Sequence, residues 1–584
     1  MNQPGAIARA RAALWRHAWQ YALLAGVLLI LALFLLYPIW LTVRGGFATD
    51  ITSGTGFTLD HVLSVFRDPR LLDGLFNSAK VALTTTTLTI FISLPLAVVG
   101  ARFKFPGKPF FNAAILVPMI IPPFVGALGL RAILGRMGAL NALLGTEWDI
   151  LGQSKFFGVV VIQALTLYPI VYLNTSAALA NLDPAMDEAA ENLGAGWWRR
   201  FFTITLPLIR PGIFAGATIV FIWSFTELGT PLMLDYYAVT PVQIFQKLKE
   251  IEGSATPYAL TVVMLSCSVL MYILGKTLFG RAGYAMYSKA SRAGGEVTLT
   301  GLPGWLAFAG FAFITILAVT PHIGVVLTSV SAPGAWYQSV LPKALTASHY
   351  QQAMTAADSF GAIVNSLKLA SLAMLVDVGL GLVIAYLLVR AKIRGRAILD
   401  AMCMLPLAVP GLVMAFGYVA MTLRWPFAKG DILDGVVSVV SADPNPVPLL
   451  IIAYAIRRLP YIVRSTVAGL EQTSGELEEA AINLGASRLY AFRKVILPLI
   501  LANVIAGGLL VFSFSMLEVS DSIILAQQAK NYPVTKAIMA FTERLGDGPY
   551  IASALGVWGM VLLTITLAGS SVLIGKKMGS IFRV

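Results

Sequence analysis

The chain has 584 residues, of which 57% are hydrophobic and only 12% are charged, and its mean hydropathy is +0.78. Because about a quarter of the residues of a soluble domain are usually charged, this composition excludes a water-soluble globular protein. The net charge of +13 requires no nucleic-acid partner, since basic cytoplasmic edges that meet anionic membrane lipids account for it.

Long apolar segments recur along the whole chain. A helix needs about 20 mainly apolar residues to cross a bilayer, and twelve segments meet that length. In the first half they lie at 18–41, 76–101, 111–135, 156–180, 205–232 and 257–279. In the second half they lie at 303–330, 364–389, 398–423, 447–468, 496–525 and 550–575. Their continuity disfavours a membrane β-barrel, so the sequence predicts an all-α membrane protein with about 12 transmembrane helices.

Lysine and arginine are distributed unevenly over the connections between these segments. They cluster before the first segment, in every even-numbered connection and after the last segment, whereas the odd-numbered connections also contain acids such as Asp50 and Asp434. Because basic residues favour the cytoplasmic side, both termini are expected in the cytoplasm. The first segment lacks a small-residue cleavage site after it, which indicates a retained helix and not a signal peptide.

Two stretches that lie 291 residues apart share 11 of their 21 residues. They read EAAENLGAGWWRRFFTITLPL from Glu188 and EAAINLGASRLYAFRKVILPL from Glu479. Earlier matches, such as Asn77 with Asn365, have a spacing of 288 residues. The chain is therefore predicted to contain two copies of one architecture, each copy bearing one of these polar motifs between apolar spans.

The duplication divides the predicted spans into two pseudo-symmetric six-helix halves, at 1–290 and 291–584. Two halves in the same orientation imply a pseudo-two-fold axis along the membrane normal. The linker between them is expected on the cytoplasmic side, from about residue 281 to residue 302.

Each polar motif is predicted to form a short helix, a turn and a second short helix before a Leu-Pro pair re-enters the membrane. In the first copy Asp183 is the expected N-cap, because Pro184 fits the first helical position. In the second copy Thr473 and Glu476 fit a capping box. A glycine is expected to end each first helix. The alternative is an ordinary amphipathic helix that lies on the headgroups.

The two motifs resemble the permease motif of bacterial ABC importers, in which E-A-A is followed after three residues by glycine. The resemblance covers nearly the whole chain and is closest to the fused, type I permeases of the ferric-iron branch. It implies the type I permease fold, an inner-membrane location and coupling helices at about 184–203 and 474–494. The residues implied in docking ATPase subunits are Glu188, Ala189, Ala190, Gly194, Glu479, Ala480, Ala481 and Gly485.

The resemblance also implies partners. These are two copies of a cytoplasmic ATPase subunit, which would bind ATP and Mg²⁺, and an external solute-binding protein. No cofactor and no catalytic residue is expected in this chain itself, since a phosphate-binding loop needs G-x-x-x-x-G-K-[ST]. Gly275-Lys276-Thr277 approaches that pattern, but Leu270 occupies the place of its first glycine.

Acidic residues near the fifth span of each half are candidates for the translocation pathway. Glu227 and Glu518 are a matched pair at spacing 291, and charged groups within spans usually face protein or a water-filled cavity. Interhelical packing, or an ion pair with Lys80 or Lys368, explains them equally well. Asp377 has no acidic counterpart and is interpreted as structural. Further pathway candidates are Asp521, Asp235 and Tyr236.

Prolines that recur at matched positions are predicted to mark a gate region. Such residues free backbone groups that can be satisfied beside a cavity. They are Pro118 and Pro122 in the first half, and Pro406 and Pro410 in the second. No metal site is predicted, because the four histidines and the two cysteines, Cys267 and Cys403, show no metal-ligand spacing.

Two other classes of protein fit the sequence less well. A twelve-span secondary transporter would need ion-coupling charges deep in several helices and no paired cytoplasmic helices, and a channel would not need matched docking helices. Within the importer class, ferric iron is the favoured cargo. Polyamines, thiamine, phosphonates and sugar phosphates are the alternatives, because the external binding protein sets most of the selectivity in this family.

Overall fold

The computed structural model describes residues 6–50, 54–120, 122–279, 297–391, 393–428 and 430–574. Within these ranges the chain is almost entirely helical, and its one pair of strands joins Phe103–Lys104 to Val297–Thr298 in parallel. The predicted all-α membrane fold is confirmed. Most of the predicted linker and the last residues of the chain, with their basic side chains, lie outside the described residues.

The helices pack into two compact units. One unit comprises residues 1–55, 361–535 and 562–581, and the other comprises residues 56–360, 536–561 and 582–584. For brevity they are called the C unit and the N unit, after the half that supplies most of their residues. The domain bounds at 290 and 291 stay a prediction, and the packing units follow a different division, since the first span belongs to the C unit and the helix Leu302–Val330 to the N unit.

The N unit is built largely from the first half of the chain. Its α-helices are Asp60–Arg67, Pro69–Arg102, Lys108–Ala114, Pro123–Leu134, Ala139–Leu144, Ile150–Gln153, Lys155–Ala180, Pro184–Asn192, Trp197–Arg200, Leu206–Phe225, Gly229–Met233, Thr240–Gln246, Thr256–Phe279, Leu302–Val330 and Ser348–Thr355. Short 3-10 turns lie at Val117–Ile120 and Leu248–Glu250, and a π-helical turn lies at Phe201–Thr205. Aromatic and aliphatic side chains such as Phe111, Tyr168 and Phe311 form its core.

The C unit repeats much of this order. Its α-helices are Ala6–Leu31, Tyr37–Phe47, Arg396–Ala408, Gly411–Thr422, Val447–Gln472, Gly475–Asn483, Arg488–Ala491, Leu497–Met516 and Ser520–Leu525. π-helical turns lie at Ala32–Leu36 and Phe492–Ile496, and a 3-10 turn lies at Ala529–Asn531. The helices Ala357–Val389, Val534–Thr542 and Gly548–Ile574 contribute residues to both units.

Ten of the described helices are long and apolar enough to cross a membrane, and eleven if the bent pair Arg396–Ala408 and Gly411–Thr422 is one span. The twelve predicted spans therefore exceed the higher of these two counts, eleven, by one. The difference is Val447–Gln472, a 26-residue helix that carries Arg457, Arg458 and Arg464 among its apolar residues. Its length fits a span, but its charge sets it apart from the others.

The fifth span of each half is shorter than predicted. The predicted segments 205–232 and 496–525 each contain a long helix, which ends at Phe225 or Met516, and then a break of three residues before a short helix. The two breaks end at matched positions, because Gly229 and Ser520 are the first residues of their short helices.

Glycines at matched positions allow two helices to approach closely inside each unit. A Cβ atom built on Gly129 would lie 1.9 Å from the carbonyl oxygen of Pro321, and one built on Gly417 would lie 2.6 Å from that of Pro38. The same contact thus recurs at spacing 288 along the third span. Glycine is required there because any side chain would meet backbone atoms that cannot move aside.

We expect Gly129→Val to destabilise the N unit. Overpacking a close contact costs about 1–3 kcal/mol or more, so the thermal unfolding midpoint of the detergent-solubilised protein should fall. Gly310→Val is the matched control, because a Cβ atom at Gly310 would meet nothing within 4 Å and should leave the midpoint near the wild-type value. Equal midpoints for the two variants would contradict the close-contact argument.

Candidate functional site

The first polar motif forms the short helix Pro184–Asn192, which ends in a turn before Trp197–Arg200. The Asp183 carboxylate caps it by accepting from the amide of Ala185 at 3.0 Å. Gly194 follows the helix with a φ of +80°, a conformation that suits glycine. The predicted N-cap, helix and glycine stop of this copy are all present.

One acid of the first motif anchors the helix to the bundle. Asp187 lies 3.3 Å from the guanidinium of Arg102, at the end of the second span, and 3.8 Å from that of Arg200. Arg200 is also paired with Glu191 at 2.5 Å, and Arg102 donates to the Thr205 hydroxyl at 2.7 Å. These partly buried ion pairs tie the motif to the membrane helix on which it rests.

The second motif forms Gly475–Asn483 and then Arg488–Ala491. Its N-cap is Ser474, whose hydroxyl accepts from the amide of Glu476 at 3.2 Å. The predicted capping box from Thr473 is therefore wrong by one residue. The Thr473 hydroxyl instead donates to the carbonyl of Gly469 and so completes the preceding span.

The anchor of the second motif is Glu478, which is buried. It accepts a hydrogen bond from the Tyr386 hydroxyl at 3.1 Å and lies 3.8 Å from the guanidinium of Arg390. Arg390 also donates to the carbonyl oxygens of Leu470 and Thr473. Glu478 is the counterpart of Asp187, and Arg390 is the counterpart of Arg102. The same acid–arginine contact therefore recurs in both copies.

The residues predicted to dock a partner lie on the outer side of these anchored helices. Glu188, Ala189, Gly194 and their counterparts Glu479, Ala480 and Gly485 are exposed, while Ala190 and Ala481 are half-buried. In each motif one acid, Asp187 or Glu478, thus packs against the bundle. The acid directly after it, Glu188 or Glu479, is exposed.

Two exposed leucines complete this surface, and sequence reasoning missed them. Leu193 is 88% exposed and Leu484 is 90% exposed, each directly before the glycine that ends its helix. The two leucines thus take the same exposed position in the two motifs, beside the exposed glutamate and alanine of each. The signal was available, because N-L-G occurs in both motifs at the same spacing.

A π-helical turn follows each motif, at Phe201–Thr205 and Phe492–Ile496. Each precedes the Leu-Pro pair that begins the fifth span, at Leu206 and Leu497. Proline lacks the N–H that an α-helix needs at this point, and single π-turns are common at functional sites. The widened turn joins the motif to the membrane helix without a break.

The matched acids of the fifth spans share one local role. The Glu227 carboxylate accepts from the amide of Thr230 at 3.2 Å, and the Glu518 carboxylate accepts from the amide of Asp521 at 3.4 Å. Each acid therefore caps the first turn of the short helix after the break. This role explains why the pair recurs, independently of any cargo.

In the C unit the Glu518 carboxylate also lies in a buried ionic cluster. Arg457 contacts it at 2.9 Å, Arg458 donates to its second oxygen, and Arg457 lies 3.6 Å from Asp521. The predicted partner Lys368 is exposed instead.

Sequence reasoning missed the two arginines because they were included in an apolar span. Their counterparts in the first half are Thr166 and Leu167, so the cluster is not duplicated.

Asp235 and Tyr236 lie after the short helix of the N unit. Asp235 has a φ of +55° and pairs with Arg131 at 2.5 Å. It also accepts from the Tyr237 hydroxyl at 2.9 Å, and this hydrogen bond raises the pKa of Tyr237. Burial raises the pKa of Tyr236. The Asp235 carboxylate is thus already engaged by a cation and a hydroxyl.

Two of the four predicted gate prolines, Pro122 and Pro410, lie at helix breaks. Pro122 and Pro410 both have extended backbone directly before the helices Pro123–Leu134 and Gly411–Thr422. The second break bends its helix pair by 104°. Pro118 lies in a 3-10 turn and Pro406 lies inside a helix. That these breaks form a gate stays a prediction.

Two further predictions concern groups within the spans. Asp377 is fully buried, and neither of its carboxylate oxygens has a hydrogen-bond partner among the described residues. Over the same part of the chain, no group of three or more His, Cys, Asp or Glu side chains could hold a metal ion.

The bundle of long apolar helices and its two anchored, capped motifs define a multi-span membrane transport subunit. The family model of the binding-protein-dependent transport system inner membrane component matches residues 90–282 and again residues 377–571. The chain belongs to this family, with two copies of its domain fused, and is the permease component of an ABC importer. The permease class expected from the two motifs is confirmed.

Two relatives named for ferric transport resemble most of the chain, and a molybdenum permease resembles part of it. The ferric transport system permease protein FbpB of Actinobacillus pleuropneumoniae is 27% identical over 93% of this chain and 76% of its own length. The Fe(3+)-transport system permease protein FbpB 2 of Haemophilus influenzae is 24% identical over 90% of this chain and 94% of its own length. The molybdenum transport system permease protein ModB of Escherichia coli K12 is 32% identical over 28% of this chain and 72% of its own length.

We expect Glu518→Gln to destabilise the protein strongly. Removing one partner from a buried ion pair costs about 3–5 kcal/mol, because the remaining charges stay buried without compensation. Glu227→Gln is the matched control, since Glu227 is only half-buried and an amide oxygen can still cap Thr230. Thermal unfolding of the purified protein should show a much larger loss for Glu518→Gln, and equal losses would refute the asymmetry of the two acids.

Proposed function

We propose that this permease couples to two copies of a cytoplasmic ATPase subunit and moves a solute, delivered by an external binding protein, into the cytoplasm. The observation that supports this proposal is the pair of matched helices, each anchored through one acid while the adjacent glutamate, Glu188 or Glu479, is exposed. The ATPase subunits bind ATP and Mg²⁺ and carry out hydrolysis, and this chain is not an enzyme.

Each coupling helix has the features that a rigid docking element needs. Ala189 and Ala480 allow a close approach of the partner backbone, and the exposed glutamate before each can pair with a basic group. Leu193 and Leu484 supply an apolar anchor, which at protein interfaces contributes most when it is buried in a pocket. Displacement of the ATPase surface then moves the whole helix, because the ion pairs resist its separation from the span.

In the proposed orientation both coupling helices and both termini face the cytoplasm. The basic residues of the even-numbered connections support it, including Arg102, Arg390 and Lys494. ATP-driven movement of the coupling helices would switch the permease between inward-open and outward-open states by alternating access. The sites that alternate are proposed to include the helix breaks at Pro122 and Pro410.

Ferric iron is the proposed cargo. The relatives that resemble this chain over most of its length are named for ferric transport. The acids expected to line a cation pathway do not support an iron site in the C unit, because two arginines balance Glu518 and Asp521. Selectivity is therefore assigned to the binding protein, and the permease conducts what is released to it.

Molybdate is the second candidate cargo. It rests on the shorter but more identical match to the molybdenum permease. An oxyanion would also be compatible with a pathway in which Arg457 and Arg458 balance Glu518 and Asp521.

The charge-reversed variant Glu188→Arg/Glu479→Arg should abolish coupling. Placing like charges against a surface that receives a carboxylate costs several kcal/mol, so the ATPase should no longer co-purify with the permease and uptake should fall to background. Glu147→Arg is the control, because Glu147 is an exposed acid in an odd-numbered connection and belongs to neither motif. Co-purification of the ATPase at the wild-type level with the double variant would overturn the docking assignment.

The cargo can be tested in proteoliposomes that contain the permease and its ATPase. With an iron-loaded binding protein outside, we expect stimulated ATP hydrolysis and uptake of radioactive Fe³⁺. A molybdate-loaded binding protein should have no effect, and the Glu188→Arg/Glu479→Arg permease is the uncoupled control. Stimulation by molybdate alone would exclude ferric iron as the cargo.

A further inference from the structure

A groove opens on the surface of the C unit beside the second coupling helix. Its volume is about 500 Å³, and its walls come from the first span, the span Ala357–Val389 and the segment that follows the coupling helix. Trp19, Leu23, Val383 and Phe492 make it apolar, and among the described residues Arg488 is the one charged member of its lining.

The aromatic side chains fix the shape of the groove. Tyr386 packs against Trp19, with ring centroids 5.9 Å apart, and edge-on against Phe492 at 5.7 Å. The guanidinium of Arg488 lies over the Trp19 ring, 5.9 Å from its centroid. Arg488 is exposed, so its guanidinium donors are accessible to a ligand.

We propose that this groove binds one anionic phospholipid, with an acyl chain along the apolar walls and the phosphate at Arg488. The outer surface of a membrane helix bundle contacts acyl chains, and basic pockets between helices at the cytoplasmic side are suited to acidic headgroups. Tryptophan and tyrosine at Trp19 and Tyr21 suit the level of the headgroups. The backbone amide of Arg394 contacts the Tyr21 hydroxyl at 3.4 Å and places a second cationic residue near this edge.

The groove is connected directly to the coupling machinery. Tyr386 lines it, and its hydroxyl donates to Glu478, the acid that anchors the second coupling helix. A lipid in the groove packs against the ring whose hydroxyl holds that anchor. The lipid therefore stabilises the position of the second coupling helix. Coupling between the permease and its ATPase is accordingly stronger in bilayers with anionic lipid than in neutral bilayers.

The first motif has different chemistry at the matched positions. Trp197 and Trp198 replace Arg488 and Leu489. Trp197 stacks on Phe201 at 5.5 Å and Trp198 stacks on Phe202 at 6.0 Å. Neither tryptophan can form an ion pair with a phosphate, so the lipid preference is assigned to the second coupling helix.

The inference rests on the proposed function only in placing the groove at the cytoplasmic leaflet, and its test needs no ATPase. Full-length permease in nanodiscs of equal phosphatidylglycerol and phosphatidylcholine is released into a mass spectrometer, and the lipids that stay bound are counted. Wild type should retain one phosphatidylglycerol in preference to phosphatidylcholine. Arg488→Gln should reduce that preference about fivefold, the effect of losing one basic charge near the headgroups.

Lys494→Gln is the matched control. Lys494 is an exposed cation on the same segment that does not line the groove, so this variant should keep the preference. Val383→Trp should fill the groove and reduce retention of both lipids. An unchanged preference in Arg488→Gln, or equal losses in Arg488→Gln and Lys494→Gln, would overturn the proposal.

The functional consequence is measured separately. ATP hydrolysis by the assembled importer should be higher in phosphatidylglycerol nanodiscs than in phosphatidylcholine nanodiscs, and Arg488→Gln should remove most of that difference. If the ATPase fails to assemble with the wild-type permease in either lipid, the proposed docking fails while the lipid count still stands. If assembly is normal and the lipid count shows no preference, only the lipid site fails.

Discussion

The contact between one motif acid and one arginine at the end of a membrane span is the interaction on which both proposed coupling helices depend. Asp187 with Arg102 and Glu478 with Arg390 occupy matched positions in the two halves. Each helix is short, and isolated helices of this length are unstable in water. The ion pairs, the N-caps and the glycine turns together hold each helix in place, so that the neighbouring glutamate, alanines and leucine form a defined surface.

Sequence reasoning identified the fold and the two polar motifs because both leave signals in the sequence that recur locally or at a fixed spacing. Long apolar runs report membrane helices, and a motif that occurs twice at one spacing reports a duplicated element. The capping residue of the second motif was misassigned because Thr473 and Ser474 are adjacent and both can cap a helix. The choice depends on where the preceding span ends, and tertiary packing decides that position.

The charged residues inside the bundle were the least predictable part. Arg457 and Arg458 lie in a helix whose other residues are mostly apolar, and their role becomes visible only when Glu518 and Asp521 fold against them. Likewise, the recurrence of Glu227 and Glu518 suggested a pathway, whereas the structure shows that both cap a helix turn. A duplicated residue can be retained for backbone geometry alone, and sequence spacing does not distinguish that reason from cargo binding.

The residues that follow the two proposed coupling helices differ, with Trp197 and Trp198 in the first copy and Arg488 and Leu489 in the second. In the proposed assembly this fused permease presents two different docking surfaces, while two copies of one ATPase subunit offer the same cleft twice. That cleft can be complementary only to what the docking surfaces have in common: a glutamate, a pair of alanines and a leucine before glycine. The proposed ATPase subunit can therefore recognise only these shared residues. The aromatic and basic residues that flank them can differ between the two copies and can make each half of the transporter respond differently to the lipids around it.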